Sequence, residues 1–290
     1  MGRTRRATAG YGRLLTTLLA LAAGVGCRPE ARPAEGGGGP KMATTSLEGD
    51  LAVVRQARVL FTHHSVGVNI LAGIERLDAE AGGPRLRIAP LEQAASVEGP
   101  VLAHGGGGRN TDPRSKIDAF AATVRDLPGL QPDLAFMKLC YVDFDPGTNV
   151  EELFDHYRRT LEALKLEHPR IRFAHVTAPL FRRPTDLKSS ARRLLGLPVW
   201  EDAANRKREE YNRRLVEHFA SDPIFDLAGA ESTTPGGGSS SSEQDGRRVR
   251  SLHPGYTDDG GHLNLAGQRA VGTAAVRFLA GALRTRDGAR

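Results

Sequence analysis

The sequence predicts an α/β domain in which a parallel sheet of five strands is covered by helices on both faces, a three-layer sandwich. The first observation is that short apolar runs alternate along the chain with segments of helical spacing. The second is that these runs are almost continuously apolar, as in strands buried on both faces. The third is a composition of 39% hydrophobic and 26% charged residues, which is typical of a globular protein.

Each predicted strand is a short apolar run followed by polar or glycine-rich residues. Helical spacing comes next, most clearly from Val150 to Leu164, where it predicts an amphipathic helix. Another predicted helix has a start signal, because Asp112 can cap its first turn and Pro113 suits its first position. The strands are predicted at Arg58–Thr62, Leu86–Leu91, Leu134–Val142, Ile171–Thr177 and Ile224–Leu227, and the last two helices near Glu201–Phe219 and Leu265–Leu283.

Composition excludes some functional classes. The chain has 40 Lys and Arg against 34 Asp and Glu, a formal net charge of +6. The basic residues are scattered and form no clustered face, so no nucleic-acid partner is predicted. Cys140 lies in an apolar run and is interpreted as a core residue, and with Cys27 near the N-terminus no disulfide framework is implied. No metal and no cofactor is predicted.

The first 27 residues are predicted to be an export signal. Basic residues precede the apolar run Leu14–Val25, which is shorter than the about 20 residues that a bilayer span needs. Cys27 then resembles the lipid-attachment site of bacterial lipoproteins, although Gly24 stands where such sites prefer leucine. The alternatives are cleavage near Ala23 and an uncleaved anchor. The protein is expected in the periplasm or at the cell surface, with membrane contact only through the signal or a lipid on Cys27.

A tether and one domain are predicted after the signal. Residues 28–50 are rich in Gly, Pro and Ala and are predicted to be a flexible linker. The domain spans residues 51–285. Within it, the low-complexity residues 231–246 are predicted to be a mobile loop. This loop and the polar, arginine-rich insertion Arg182–Trp200 are expected to border the pocket.

Chemistry-bearing residues follow the predicted strands or precede the last helix. In parallel sheets the carboxyl ends of the strands share one edge, where ligands bind. The sequence therefore predicts a site at that edge. The stretches are THHSVG at residues 62–67, HGGGGRNTDP at 104–113, LCYVDF at 139–144 and YTDDGGHLN at 256–264.

The order of these stretches resembles the SGNH/GDSL hydrolase superfamily, whose fold is a flavodoxin-like α/β sandwich. The resemblance covers roughly residues 52–283. It implies that Ser65 is the nucleophile, His262 the base and Asp259 the carboxylate that orients the imidazole. A serine hydroxyl needs such a base to become a good nucleophile. The glycines that by resemblance offer backbone N–H groups to the oxyanion are Gly105, Gly106, Gly107 and Gly108.

The chain departs from the superfamily pattern in two places. His63 and His64 stand where relatives carry Gly-Asp before the nucleophile. In the third motif Cys140 replaces a glycine, and Val142 replaces the asparagine whose amide helps to hold the oxyanion. Losing one such donor typically costs about 10²–10³ in rate. Asp143 is kept, and Asn110 or Asn69 is considered as a substitute amide.

Simpler roles compete with the catalytic ones. Ser65 could be the N-cap of the following helix. His63 and His64 could form half of a metal site, although adjacent strand residues point to opposite faces. Asp143 could cap a helix or support the site through hydrogen bonds. A structural role is favoured for Asp226 and Glu231.

The predicted function is hydrolysis of carboxylic esters, such as glycan O-acetyl groups or small lipid esters, through an acyl-serine intermediate. The partner is therefore a small-molecule or glycan ester. One alternative is a degenerate, non-catalytic member of the fold that binds a glycan, which Val142 motivates. Another is O-acyl transfer on the same residues. No oligomeric state is predicted.

Overall fold

Five parallel strands form the central sheet of the computed structural model, which describes residues 46–94, 96–126 and 130–287. The strands are β1 (Arg58–Thr62), β2 (Ile88–Pro90), β3 (Val101–Gly105), β4 (Leu134–Met137) and β5 (Arg172–Phe173). Their spatial order is β2-β3-β1-β4-β5. The predicted fold class, an α/β sandwich around a parallel five-stranded sheet, is therefore confirmed.

Helices pack on both faces of this sheet because successive strand residues point to opposite sides. The helices are α1 (Leu47–Val54), α2 (Val66–Ala81), α3 (Leu91–Ala94), α4 (Pro113–Arg125), α5 (Val150–Glu167), α6 (Leu187–Leu194), α7 (Trp200–His218), α8 (Leu227–Ser232) and α9 (Leu265–Asp287). Val59 and Phe61 pack into the cluster formed with α1, α2 and α9, and Leu60 packs into the cluster formed with α4, α5 and α7. None of the helices in the described ranges is long and apolar enough to cross a membrane.

Helices α2 and α9, which follow the first and the last of the four motifs along the chain, are in close contact. A Cβ atom at Gly73 would lie 2.1 Å from the carbonyl oxygen of Gln268, and one at Gly272 would lie 2.8 Å from the carbonyl carbon of Gly73. Only glycine allows this approach. Since α2 begins after Ser65 and α9 begins after Asn264, the contact holds both motifs at one edge of the sheet.

Strand β3, which lies between β2 and β1 in the sheet, is absent from the sequence prediction. Its apolar part is only Val101–Ala103, and Gly99 and Pro100 precede it. Strand β3 nevertheless pairs along its full length with β1, so the glycine-rich stretch follows β3 rather than the run Leu86–Leu91. That run shortens to the edge strand β2 and the first turn of α3.

The last two predicted strands also differ. The run Ile171–Thr177 divides into β5 and β6 (His175–Val176) at Ala174, whose amide donates to the carbonyl of Ala135 on β4 at 3.0 Å. Strand β6 pairs in parallel with β7 (Ile224–Phe225) in a separate two-stranded ladder. Strand β7 ends early because Asp226 caps α8 and accepts the amide of Gly229. The run Leu134–Val142 likewise ends as a strand at Met137.

Two predicted boundaries are wrong in part. The tether at residues 28–50 overlaps α1, because the Ser46 side chain accepts the Gly49 amide and starts the helix at Leu47. The loop at residues 231–246 contains β8 (Ser241–Gln244), which pairs antiparallel with β9 (Arg247–Arg250). The turn residues Asp245 and Gly246 both have positive φ, as a tight two-residue hairpin requires. This turn allows the two strands to pair although β8 begins with serines, which had suggested a loop.

Candidate active site

Ser65 lies on a strained turn between β1 and α2. Its backbone has φ 39° and ψ −93°, and a positive φ is rare for a residue with a side chain. Such strain costs about 1–3 kcal/mol and often marks a functional position. The Ser65 side chain makes no capping hydrogen bond, so the alternative role as N-cap is not observed. A sharp strand-to-helix turn is also how α/β hydrolases expose a nucleophile.

Asp259 and His262 form a hydrogen-bonded pair in the loop before α9. The His262 Nδ1–H donates to Asp259 Oδ2 at 2.6 Å, and Asp259 Oδ1 accepts the amides of Gly261 and His262 at 2.9 and 2.8 Å. Partial burial pulls the pKa of Asp259 upward, but these donors outweigh it and hold the pKa well below its ordinary value. The ionised carboxylate fixes the tautomer of His262, which leaves Nε2 free to accept a proton.

One contact ties the His262 loop to the Ser65 turn. The amide of Leu263 donates at 3.1 Å to Oδ1 of Asn69, which lies one helical turn beyond Ser65 on α2. Among the described residues, the Ser65 hydroxyl makes no hydrogen bond with His262. Catalytic hydrogen bonds are often long without substrate and tighten in the complex. Ser65 and His262 thus lie at the same edge of the sheet, with no hydrogen bond between their side chains.

Tyr141 supports the imidazole from the third motif and was not singled out from the sequence. Its ring meets the His262 ring edge-on with centroids 5.6 Å apart, and a Cβ atom at Gly261 would lie 2.4 Å from its Cζ. Burial, followed by the charge of Asp259, raises the pKa of Tyr141. The buried Arg208 donates to the Tyr141 carbonyl at 2.7 Å and fixes this turn. The only sequence signal was an aromatic residue beside the retained Asp143.

The glycine-rich loop after β3 passes against the Ser65 turn. The carbonyl of Gly105 accepts the His63 amide at 2.8 Å. A Cβ atom at Gly106 would lie 3.2 Å from His64 Cε1 and 3.3 Å from the His63 carbonyl oxygen. Within the described part of the chain, the amides of Ser65 and Gly106 donate to no protein acceptor. Free N–H groups beside a nucleophile can stabilise an oxyanion.

The two histidines before Ser65 have separate roles. His64 Nε2–H donates to the carbonyl of Gly107 at 2.9 Å and braces the glycine loop. His63 is buried, and its Nε2 lies 3.3 Å from His104 Nδ1. Burial, followed by the charge of Lys138, lowers the pKa of His63 to about 3, so its ring is neutral near pH 7. No cluster of three or more His, Cys, Asp or Glu that could hold a metal ion occurs in the described ranges.

Asp143 is enclosed in an ion pair rather than facing a ligand. Its two oxygens accept from Lys116 Nζ at 2.7 and 2.8 Å, and they also accept the amides of Cys140 at 2.6 Å and Thr111 at 3.0 Å. The exposed fractions of the Lys116 and Asp143 side chains are 2% and 0%. Asp143 therefore braces the loop around Thr111, in agreement with the support role that the sequence left open.

The other candidate residues of this loop lie near Lys116. Asn110 Oδ1 accepts from Lys116 Nζ at 2.9 Å, and a Cβ atom at Gly108 would lie 2.5 Å from the Lys116 amide nitrogen. Asn69 is the asparagine closer in sequence to Ser65, and it holds the His262 loop. The structure thus places Gly106 against the Ser65 turn and ties the His262 loop to that turn through Asn69, whereas Asp143, Asn110 and Gly108 contact Lys116.

Further charged groups are buried behind the site. Lys138 Nζ donates to the carbonyl of Leu139 at 3.1 Å, and burial lowers its pKa. Glu231 Oε2 accepts the Leu180 amide at 2.6 Å, whereas its Oε1 has no partner. Burial raises the pKa of Glu231 to about 8. Cys140 is fully buried, as predicted, and Cys27 lies outside the described residues.

Comparisons with known proteins find matches among solved structures. No protein-family model and no curated protein matches the chain. A protein described as a GDSL-like lipase from Parabacteroides merdae matches at 14% identity and a TM-score of 0.43, over 77% of this chain and 95% of that one. A protein described as a lipolytic protein of the G-D-S-L family from Desulfitobacterium hafniense matches at 11% identity and 0.40, over 77% and 99%.

An acyltransferase domain also matches. The C-terminal catalytic domain of peptidoglycan O-acetyltransferase A from Streptococcus pneumoniae shares 13% identity at a TM-score of 0.37, over 80% of this chain and 95% of that one. At these TM-scores the likeness carries no functional conclusion for this chain.

Proposed function

We propose that this protein is a serine hydrolase of the SGNH/GDSL type that cleaves carboxylic esters. The observation that supports it best is the hydrogen-bonded pair Asp259–His262, held at the same sheet edge as Ser65 on its strained turn. A serine, a histidine and a carboxylate in these positions form the set that activates a hydroxyl nucleophile. The free amides of Ser65 and Gly106 complete the site with oxyanion donors.

The reaction follows from these atoms. His262 Nε2 takes the proton from Ser65 Oγ as Oγ attacks the ester carbonyl carbon, and the carbonyl oxygen gains the negative charge. When the intermediate collapses, the alkoxide leaves with the proton from Nε2 and an acyl-serine remains. Water then attacks the acyl-serine through the same base, which releases the carboxylic acid and restores Ser65.

An open site suits an ester carried on a large molecule. The exposed fractions of the His262 and Asp259 side chains are 44% and 56%, so the catalytic pair lies at the surface. We therefore propose O-acetyl groups on a glycan as the substrate, with small lipid esters as the alternative. A sugar hydroxyl in place of water would turn the same steps into O-acyl transfer.

A non-catalytic glycan-binding role is the second candidate. It is favoured by Val142 in place of an amide donor and by the lack of a hydrogen bond between Ser65 and His262. Such a protein would bind acetylated glycans with unchanged affinity in Ser65→Ala and would turn over no ester.

Turnover of aryl acetates tests the proposal. The wild type is expected to hydrolyse them, whereas Ser65→Ala and His262→Ala lose about 10³-fold or more of the rate. Equal rates in the wild type and Ser65→Ala would refute it. Adding sugar acceptors and identifying the products separates hydrolysis from acyl transfer.

We also propose that the chain is exported and carries a lipid on Cys27. The basic residues and the apolar run before Cys27 support this. Metabolic labelling with a radioactive fatty acid is expected to mark the wild type and not Cys27→Ser. Labelling of both, or of neither, would contradict lipidation at this residue.

A further inference from the structure

An apolar surface is fully exposed on α6 and the segment after it. The exposed fractions are 90% for Leu187, 88% for Leu194, 71% for Leu195, 47% for Leu197 and 53% for Trp200. These five residues are called here the α6 surface. No residue of α6 is buried. A concentration of large apolar side chains in water is unusual for a folded domain and marks an interaction site.

The segment is fixed from its other side. Arg193 donates to both carboxylate oxygens of Asp202 on α7, at 2.6 and 3.1 Å, and Arg192 donates to the carbonyl of Pro198 at 2.8 Å. These contacts hold the polar side of α6 against the domain. The apolar side chains of α6 therefore face solvent, because the opposite side of the helix is the one held to the domain.

Sequence spacing agrees with this orientation. Leu187, Ala191, Leu194 and Leu195 recur at intervals of four, three and one residues, which places them on one side of a helix. All four are exposed. The helix is thus amphipathic with its apolar side facing solvent.

The charge of the segment indicates the partner. Residues 182–200 contain five cationic side chains and one carboxylate, Asp186. Two of the cations, Arg183 and Arg193, pair with Asp202 on α7. The other three, Arg182, Lys188 and Arg192, make no ion pair among the described residues, and Lys188 is exposed. A short amphipathic helix with leucines on one side, Lys and Arg beside them and an exposed tryptophan soon after its end is the pattern of a segment that lies in the headgroup region of an anionic bilayer. Two copies facing each other would instead oppose like charges.

The chain segment that leads into α6 begins at the candidate active site. The amide of Arg182 donates to the carbonyl of Gly260, between Asp259 and His262, at 2.7 Å. The preceding Phe181 packs on Tyr141 with ring centroids 5.4 Å apart. The segment that carries the α6 surface is therefore attached at its start to the loop of Asp259 and His262.

We propose that the α6 surface docks onto anionic lipid bilayers, separately from any anchor at the N-terminus. The docking goes beyond ester hydrolysis and does not require it. It adds a membrane contact to the N-terminal one expected from the sequence.

Trp200 makes the docking directly measurable, because it is the only tryptophan of the chain. Vesicles of phosphatidylcholine with phosphatidylglycerol are added to the full chain, and the tryptophan emission is recorded. A blue shift is expected with these vesicles and a smaller one with phosphatidylcholine alone. An apolar N-terminal run that binds vesicles by itself would sediment the protein without shifting Trp200.

Variants provide the matched control. The triple variant Leu187→Gln, Leu194→Gln, Leu195→Gln is expected to lose about tenfold or more of the vesicle affinity reported by Trp200. Leu166→Gln on α5 changes a leucine that is 84% exposed and should leave the shift intact. An unchanged emission of the wild type on anionic vesicles, or an unchanged affinity of the triple variant, would overturn the proposal. So would a blue shift that depends on protein concentration without lipid, because a second copy would then cover the surface.

Discussion

Two aspartates near the same edge of the sheet each hold a nitrogen-bearing side chain, and the two pairs differ in almost everything else. Asp259 holds His262 in a loop where both side chains are about half exposed. Asp143 holds Lys116 in the interior, where neither side chain reaches water. Both aspartates belong to motifs that resemble the same superfamily. The candidate catalytic aspartate, Asp259, therefore differs from the structural aspartate, Asp143, in its exposure to solvent and in its partner.

The largest expected effect is on activity through the exposed pair. In Asp259→Asn the carboxamide cannot hold His262 in the tautomer that leaves Nε2 as a base, so the rate should fall by about 10³–10⁴. Stability should hardly change because the pair is exposed. Ester turnover and urea unfolding of the same preparation measure both. A variant that keeps a tenth of the activity would contradict the assigned role.

The buried pair should show the opposite behaviour in stability. Lys116→Met leaves the Asp143 carboxylate buried without its cation, which should cost about 3–5 kcal/mol in the free energy of unfolding. The double variant Lys116→Met, Asp143→Leu should recover part of that loss. Arg125→Met breaks the exposed pair with Glu167 and should change the free energy of unfolding far less, because solvent screens that pair. Equal losses for Lys116→Met and Arg125→Met would remove the distinction between the two regions.

A third carboxylate, Glu231, is buried and accepts no hydrogen bond from a cation. Its pKa is raised to about 8 from an ordinary 4.5. The folded state therefore binds this proton more tightly than the unfolded state, so the stabilisation is complete below pH 4.5 and is lost as pH rises through 8. Glu231→Gln should flatten the fall in unfolding free energy between pH 4.5 and 8, an effect of a few kcal/mol. An identical pH profile in both proteins would show that Glu231 does not titrate there.

The smallest expected effect concerns the brace from His64 to the glycine loop. His64→Ala removes the donor to the Gly107 carbonyl and lets the oxyanion amides move, which should lower kcat by about 10–10². His64→Gln can again donate a hydrogen bond to the Gly107 carbonyl and should recover part of the lost kcat. KM should change little in either variant. If neither variant differs from the wild type, the loop is held without His64.

Much of the candidate site was predictable because its signals are local. Asp259 and His262 are three residues apart, and Ser65 comes three residues after the end of an apolar strand. Strand β3 was missed because its apolar part is three residues long, and the β8–β9 hairpin because its serines suggested a loop. The pairing of Asp143 with Lys116, 27 residues apart, and the support of His262 by Tyr141 depend on tertiary packing. No periodicity in the sequence encodes either contact.

The central claim, that Ser65 is a nucleophile activated by His262, is tested most directly by a fluorophosphonate probe and mass analysis of the labelled peptide. One adduct on Ser65 is predicted in the wild type, with strongly slowed labelling in His262→Ala and in Asp259→Asn. A wild type that stays unlabelled, or an adduct on another residue, would contradict it.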